Sequence, residues 1–473
     1  MNIIWFRQDC RVRDNPALVE AVLAGNILPI YILDDINAGE DKMGGASRLW
    51  LHHALMDLNR SLKGHLKCYQ GDAKTIIQQL CSDNSIDAIY WNRCYEPWRI
   101  RRDKAIKKTL TEQGIVVKSL NASLLWEPWQ ILKKDDTPYK VFTPYYRRGC
   151  LNAIEPRRPL AAPESFTFAN NKTPSITVAQ LNLLPTIQWQ KTIEQQWDIS
   201  EQGAENTLLT FLEQGATDYK EGRNFPAKAN TSRLSPYLRS GQISPNQIWH
   251  QSLNRKQTLG LDTFQSELGW REFSYSLLYH FPQLPRKNLQ AKFNHFPWQW
   301  GGHKLTAWQR GQTGFPIVDA GMRELWQTGF MHNRVRMIVG SFLVKNLLLH
   351  WQQGEAWFWD CLVDADLASN SASWQWIAGC GADAAPYFRV FNPILQGEKF
   401  DKTGEYTRRF VPELKALPDK YLHQPWLAPD EVLAAAGIQL GNDYPKPIVD
   451  QKQSRLMALE AFQTMKKINT AET

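Results

Sequence analysis

Over the first 130 residues, short apolar runs alternate with amphipathic stretches. Residues 3–6, 27–33, 66–69, 88–91 and 115–117 are short, mainly apolar runs, Lys67 being the one charge among them. Between them the apolar positions take helical spacing, as with Leu49, His53, Leu55, Met56 and Leu62. Continuously apolar strands separated by helices predict a five-stranded parallel sheet covered on both faces, a Rossmann-like α/β domain over residues 1–131. Such sheets bind ligands at the carboxyl ends of their strands. No G-x-G-x-x-G follows any of these strands, so the standard dinucleotide fingerprint is absent. From about residue 132 to 197 the periodicity breaks, and Pro156, Pro159, Pro163, Pro174 and Pro185 punctuate a stretch that reads as a long connection, residues 132–200. Beyond it helical spacing dominates, over residues 265–280, 321–327, 333–351 and 354–367, and predicts an all-α domain over residues 201–473.

Composition narrows the class. A chain of 473 residues has room for two to four domains. With 43% hydrophobic and 22% charged residues it has the balance of a globular protein, not of a disordered one. The longest apolar stretch, residues 337–349, contains Lys345 and falls short of the roughly 20 residues a membrane helix needs. The first residues lack a basic segment and an apolar core of signal-peptide length, so a cytoplasmic location is expected, with no membrane partner. Seven scattered cysteines without a C-x-x-C pair read as reduced thiols, and no H-E-x-x-H spacing suggests a catalytic metal. The net charge is 55 − 47 = +8, which suits a polyanionic partner. Twenty tryptophans are present, eleven of them between Trp249 and Trp376, so that region has a particular demand for large rings.

Several clusters offer chemistry beside a plainer structural reading. Glu267, Trp270 and Arg271 share one face of a predicted helix. They suit either a pocket for a planar, hydrogen-bonding anion or a surface ion pair beside a half-buried ring. Asn333, Arg336 and Met337 lie one helical turn apart; an amide and a thioether suit a base edge, or else a helix cap and a core methionine. Asp364 and Asp366, in an apolar setting, require partners: a ligand's hydroxyl and N–H groups, an arginine such as Arg336, or solvent at a helix end. Trp374 and Trp376 point about 200° apart on a helix, so one faces a site while the other packs inward. A row of tryptophans can pass electrons; it can also simply fill a core. Thr231-Ser232-Arg233-Leu234-Ser235 follows a loop rich in Pro, Gly and Asn, and offers either a phosphate seat or a helix cap.

Taken together, these segments resemble the DNA photolyase/cryptochrome family, most closely the bacterial cyclobutane pyrimidine dimer photolyases. The resemblance opens at Trp5-Phe6-Arg7-Gln8-Asp9-Cys10-Arg11-Val12-Arg13-Asp14-Asn15, similar to the family's W-F-R-x-D-L-R-x-x-D-N. It is strongest at Gly314-Phe315-Pro316-Ile317-Val318-Asp319-Ala320, Met331-His332-Asn333-Arg334, Trp374-Gln375-Trp376, and from Asp383 through Pro393. It implies an α/β antenna domain followed by a helical domain that holds FAD, fully reduced in the active form. Tyr219 and Thr231, Ser232, Arg233, Leu234 and Ser235 would hold its phosphates. Arg336 would pair with Asp364 beside the flavin, Asp366 would contact the ring system, and Asn370 would sit near the reactive N5. Trp374, Trp351 and Trp298 match an electron-hopping chain from flavin to surface. Glu267, Trp270, Arg271, Asn333, Met337 and Trp376 match the pocket that receives a pyrimidine dimer in DNA. Arg334, Lys399 and Arg408 would grip phosphates.

The implied activity is light-driven splitting of cyclobutane dimers by a monomer. Repair of the (6-4) photoproduct is the nearest alternative, and blue-light signalling by a cryptochrome is the other. The (6-4) relatives usually carry a second histidine where Asn333 follows His332, and plant cryptochromes usually carry Asp at the position of Asn370. Some positions depart from the family. Cys10 stands where Leu is usual, and Asn370-Ser371-Ala372-Ser373 replaces a common N-N-G-G. Trp98 and Arg99 stand where folate-binding relatives often have Asn and Glu, while Tyr95-Glu96-Pro97 is similar to deazaflavin-binding ones. A second, antenna chromophore is expected, whether methenyltetrahydrofolate, 8-hydroxydeazaflavin or another flavin.

Overall fold

The computed structural model of the chain describes every residue except Ala385, Phe388, Glu472 and Thr473. The chain divides into two compact units. The first comprises Met1–Ala216, Ser232–Pro282 and Val363–Ala368; the second comprises Thr217–Thr231, Gln283–Leu362 and Ser369–Thr473.

The first unit is built on five parallel strands, β1 (Asn2–Phe6), β2 (Ile27–Leu33), β3 (Lys67–Gln70), β4 (Ala88–Asn92) and β5 (Val116–Leu120), in the order β3-β2-β1-β4-β5. Every residue of β1, β2 and β4 is buried, as expected for central strands with helices on both faces. β5 lies at the edge; its alternately exposed and half-buried residues include Lys118, a charge typical of protected sheet edges. The connecting helices are α1 (Pro16–Leu23), α2 (Gly45–Ser61), α3 (Ala73–Asp83) and α4 (Pro97–Glu112). Asn15 and Asp72 cap α1 and α3 through their side chains, and Pro16 and Pro97 occupy first turns that need no N–H donor. The same unit holds the 22-residue helix α5 (Leu259–His280), capped by Thr258.

Beyond β1 the chain carries the Trp5–Asn15 motif, and its polar residues are structural. The buried Arg7 guanidinium donates to the Asn92 carbonyl and pairs with Asp103. Arg11 spreads its donors over the carbonyls of Asp14, Ala122 and Gly241 at 2.7–3.2 Å. Gly241, at φ +74°, lies so close that a Cβ would come within 2.0 Å of the Gln8 carbonyl oxygen.

The second unit is helical. It contains α6 (Pro316–Thr328), α7 (Asn333–Ser341), α8 (Trp351–Cys361), the body of α9 (Leu367–Ala378), and a long C-terminal helix, α10 (Gln451–Ala471). The helix expected over residues 333–351 is not continuous. It widens into a π turn at Phe342–Asn346 and ends where Leu348 takes φ +55°. The reason is tertiary. Gln299 N donates to the Leu348 carbonyl and His350 N donates to the Gln299 carbonyl, so this stretch pairs as extended chain with Gln299. No helix among the described residues is long and apolar enough to cross a membrane.

Lys345 lies in that π turn with no exposed surface. Its ammonium donates to the Arg389 carbonyl at 3.0 Å and lies 5.3 Å from the Tyr387 ring. Burial pushes its pKa down to about 8. Unfolded, the same group titrates at about 10.4. Between these values the unfolded chain binds more protons than the folded one, so this lysine makes stability rise with pH, by about 1 kcal/mol per unit. The Lys345→Met variant lacks that contribution. Urea titrations from pH 7 to 10 should show wild type gaining on Lys345→Met steadily above pH 8 and keeping a constant difference below it.

Candidate functional site

In the first unit, α5 sets out most of the candidate chemistry. Glu267, Trp270 and Arg271 are all half-buried on it, as the helical spacing required. Trp270 stacks on Phe142 at 3.8 Å and 10°, and Phe142 stacks in turn on Tyr146 at 5.6 Å. One face of the Trp270 ring is therefore covered. Arg271 donates to the Ser123 carbonyl at 2.7 Å, and its guanidinium lies 4.7 Å over the Tyr275 ring. Glu272 accepts from the backbone N–H groups of Leu125 and Trp126 at 3.0 and 3.1 Å and ties α5 to the chain that follows β5. Burial pushes its carboxyl up to about 7.

The two aspartates of the 362–366 loop each find a partner in this unit. Ser235 Oγ donates to Asp364 Oδ2 at 2.6 Å, and Tyr275 Oη donates to Asp366 Oδ2 at 2.5 Å. Arg239 holds the intervening Ala365 carbonyl at 2.6 Å. Ser232 is half-buried and Leu234 buried. Arg233, at φ +52°, lays its guanidinium 4.1 Å from the Trp197 ring.

In the second unit, Asn333 is exposed at the first position of α7, Met337 is half-buried, and the cap is His332, whose Nδ1 accepts from Arg334 N at 3.2 Å. Burial, aided by Arg336 and Arg334, pushes the His332 imidazole down to about 3, so it is neutral. Arg336 donates from Nε to the Met331 carbonyl at 2.7 Å; Arg334 donates to Asn224 and lies 4.4 Å over Phe400. Tyr219 is buried beneath Arg223, and Thr231 is half-buried. Lys399 is exposed. Arg408 spends its donors on the carbonyls of Thr403, Lys415 and Leu417 and on Asp419. Within the motif from Asp383 through Pro393, Ala385 and Phe388 lie outside the described residues.

Asn370 is oriented by a neighbour. Its Nδ2 donates to the Glu355 carbonyl at 3.0 Å, and Ser371 Oγ donates to Glu355 Oε1 at 2.5 Å. With its N–H side engaged, the amide turns its acceptor oxygen to the other side.

Trp374 is buried and Trp376 half-exposed, the opposed pair that their spacing predicts. Gln375 between them donates to the carbonyls of Leu284 and Lys287 and accepts from Leu289 N, pinning the 284–289 segment. Trp351 is fully buried and donates to Asn288 at 2.8 Å, whereas Trp298 is half-exposed. His350 bridges them, with ring centroids 5.5 Å from Trp298 and 5.6 Å from Trp351. Burial pushes His350 down to about 4, so no cation stands between the two indoles at neutral pH.

Phe142, Tyr275, Glu355 and His350 do not stand out in the sequence. Of these, Tyr275 alone carries a local signal: it continues the Glu267–Arg271 stripe by another four residues. Near the end of β1, indole rings and guanidinium groups pack together. Trp98 lies between the guanidinium groups of Arg99 and Arg102, at 4.5 and 4.9 Å, and Arg102 also lies 4.7 Å from Trp5. A cavity lined in part by Arg7, Gln8, Tyr31 and Arg99 measures about 20 Å³, room for a water.

The α/β part and the helical part that follows it are each matched by a known family of proteins. Residues 2–164 match DNA photolyase, and residues 264–464 match the FAD binding domain of DNA photolyase. The chain is 47% identical to a deoxyribodipyrimidine photo-lyase of Agrobacterium fabrum, over 98% of each chain. A bacterial class III photolyase structure from Agrobacterium tumefaciens superposes with a TM-score of 0.95 at 46% identity, again over 98% of each. Cryptochrome-1 of Arabidopsis thaliana is 34% identical over 99% of this chain and 71% of its own length. The chain belongs to the DNA photolyase family and carries its FAD-binding domain.

Trp374 owes its position to Gly354 on α8. A Cβ at residue 354 would lie 2.1 Å from Trp374 Cη2 and 2.6 Å from Leu343 Cδ2. Glycine to alanine in a helix normally gains about 1 kcal/mol. Here overpacking reverses the sign, and Gly354→Ala should lose about 1–3 kcal/mol in urea unfolding.

Proposed function

We propose that this chain repairs DNA by splitting cyclobutane pyrimidine dimers under blue light. FAD, when bound and fully reduced, would supply the photoexcited electron that the dimer takes up and returns, so that two carbon–carbon bonds break with no net oxidation. The residues present fit that cofactor. Asn370 is the observation that carries the reading: with Nδ2 held by the Glu355 carbonyl, it offers an acceptor suited to the N5–H of a reduced flavin. An aspartate, as in plant cryptochromes, would offer a charge instead. Asp366 would meet the flavin ring and Asp364 would pair with Arg336. Tyr219 and Thr231 through Ser235 would hold the phosphates.

Glu267 would hydrogen-bond the flipped bases, with Asn333 and Met337 at their edges and Trp270 and Trp376 packed against them. Photolyases are among the enzymes that turn their target nucleotide out of the stack, and damage makes that easier. Arg271 and Arg334 would position the strand, Lys399 would offer its exposed ammonium to phosphates, and Arg408 would add charge. Such contacts make binding salt-dependent. Trp374, Trp351 and Trp298 would carry electrons inward to re-reduce the flavin. Residues 1–131 would form the antenna domain, 132–200 the connection and 201–473 the catalytic domain of a cytoplasmic monomer that joins the bacterial nucleoid during repair. A second, antenna chromophore, whether methenyltetrahydrofolate, 8-hydroxydeazaflavin or another flavin, would serve the first of these domains.

Two measurements test this. Reduced protein given each lesion under blue light should split cyclobutane dimers and leave (6-4) photoproducts; the reverse outcome sinks the proposal. Glu267→Ala should keep its FAD and lose at least tenfold in repair. Separately, Trp374→Phe should block photoreduction of oxidised FAD while leaving repair by chemically reduced enzyme intact. Unchanged photoreduction would remove that residue from the electron path.

A further inference from the structure

We infer that Tyr275 is a positioning residue that sets the redox poise of bound FAD by fixing the carboxylate of Asp366. The inference rests on the reading of Asp366 as the group that meets the flavin ring. Glu267, Arg271 and Tyr275 follow one another at four-residue intervals along α5, so one stripe runs from the proposed lesion contact to the 362–366 loop. Tyr275 is 3% exposed and Asp366 9%. The phenol has a single proton to give, and gives it to Asp366 Oδ2 at 2.5 Å, the length of a charge-assisted O–H···O bond.

The tyrosine is itself immobilised. The Arg271 guanidinium lies 4.7 Å over its ring, and Tyr95 packs against it edge-on at 5.9 Å. Tyr95 is tied the other way: its hydroxyl donates to Glu127 Oε1 at 2.7 Å, and Arg93 grips both oxygens of Glu127 at 2.6 and 3.0 Å. Arg93, Glu127, Tyr95 and Arg271 thus form a rigid backing for a hydroxyl that orients a carboxylate. No catalytic step requires Tyr275 to touch substrate.

A fixed negative charge beside the flavin opposes the arrival of electrons there, and in a poorly solvated site the effect is large. A donor that draws charge from the carboxylate lessens that opposition. Tyr275 therefore favours the reduced cofactor on which repair depends.

Spectroelectrochemical titration of purified, FAD-loaded protein at one pH tests the inference. Tyr275→Phe should keep one FAD per chain and shift the flavin midpoint potential to more negative values. Incorporation of 3-fluorotyrosine at position 275, which keeps the ring and sharpens the donor, should shift it positive; this variant decides the matter if Tyr275→Phe does not fold. Tyr95→Phe should titrate as wild type. Asp366→Asn, which removes the charge, should shift the potential positive. Wild-type potentials in both Tyr275 variants alongside a shift in Asp366→Asn would overturn the role of Tyr275 and leave the reading of Asp366 standing. An equal shift in Tyr95→Phe would also overturn it, by showing that loss of a nearby hydroxyl other than the donor to Asp366 moves the potential as much. An unshifted Asp366→Asn would instead remove the reading of Asp366 and the inference with it. A purely structural tyrosine would alter stability or FAD content without moving the potential.

Discussion

A carboxylate taken out of water must be surrounded by donors, and much of the architecture of both units answers that demand. In the second unit Asp319 has no exposed surface. It accepts from Thr313 N and Oγ1, Gly314 N and Tyr444 Oη, all within 3.0 Å, and so ties the start of α6 to a segment 125 residues further on. In the first unit Asp9 accepts from Arg7 N and Asn92 Nδ2 at 2.6 Å, joining the ends of β1 and β4. Asp14 takes Leu160 N, Ser244 and Arg157, and so holds the long connection onto the sheet end. Asp364 and Asp366 follow the same rule, with Ser235 and Tyr275 as donors. The acidic residues that look like catalytic motifs along the chain are thus, for the most part, held by protein donors.

The central strands β1, β2 and β4 were legible in the sequence because helices cover both faces, and almost wholly apolar strands stand out; β3 and β5 carry polar positions and were legible from their apolar cores. Helix α5 was legible from its period, and with it the Glu267, Trp270 and Arg271 face. The break after Phe342 was not, because residues 337–349 keep a helical apolar pattern; only pairing with Gln299, distant in sequence, overrides it. Phe142 escaped notice for a similar reason. It comes from a stretch without periodicity, and nothing local says that its ring will cover Trp270. The partners of the aspartates, Ser235 and Tyr275, lie 129 and 91 residues away, and periodicity carries no information about such pairs.

The tryptophan excess has two explanations that need not compete. Trp374 rests on Gly354 and meets Phe358 and Trp308 edge-on, which is ordinary core packing. Electron hopping asks for rings held close, rigidly, and in surroundings that do not oppose a transient positive charge. A packed core supplies the first two. The third is met at His350, which burial keeps neutral between Trp298 and Trp351. Close packing and a neutral His350 are thus compatible with each other in the helical unit.

At Asn370-Ser371-Ala372-Ser373 the amide stays held although its neighbours depart from the common pattern. Replacing a second asparagine by serine removes an amide, yet Ser371 donates to the Glu355 carboxylate while the Glu355 carbonyl holds Asn370. The backbone of α8 fixes the amide, and the serine fixes the side chain of the same residue. Orientation of Asn370 thus depends on the register between α8 and α9, not on the identity of its immediate neighbours. Since Gly354 precedes Glu355 and admits Trp374 against α8, that one register aligns both the amide proposed to face N5 and the first ring of the proposed electron path.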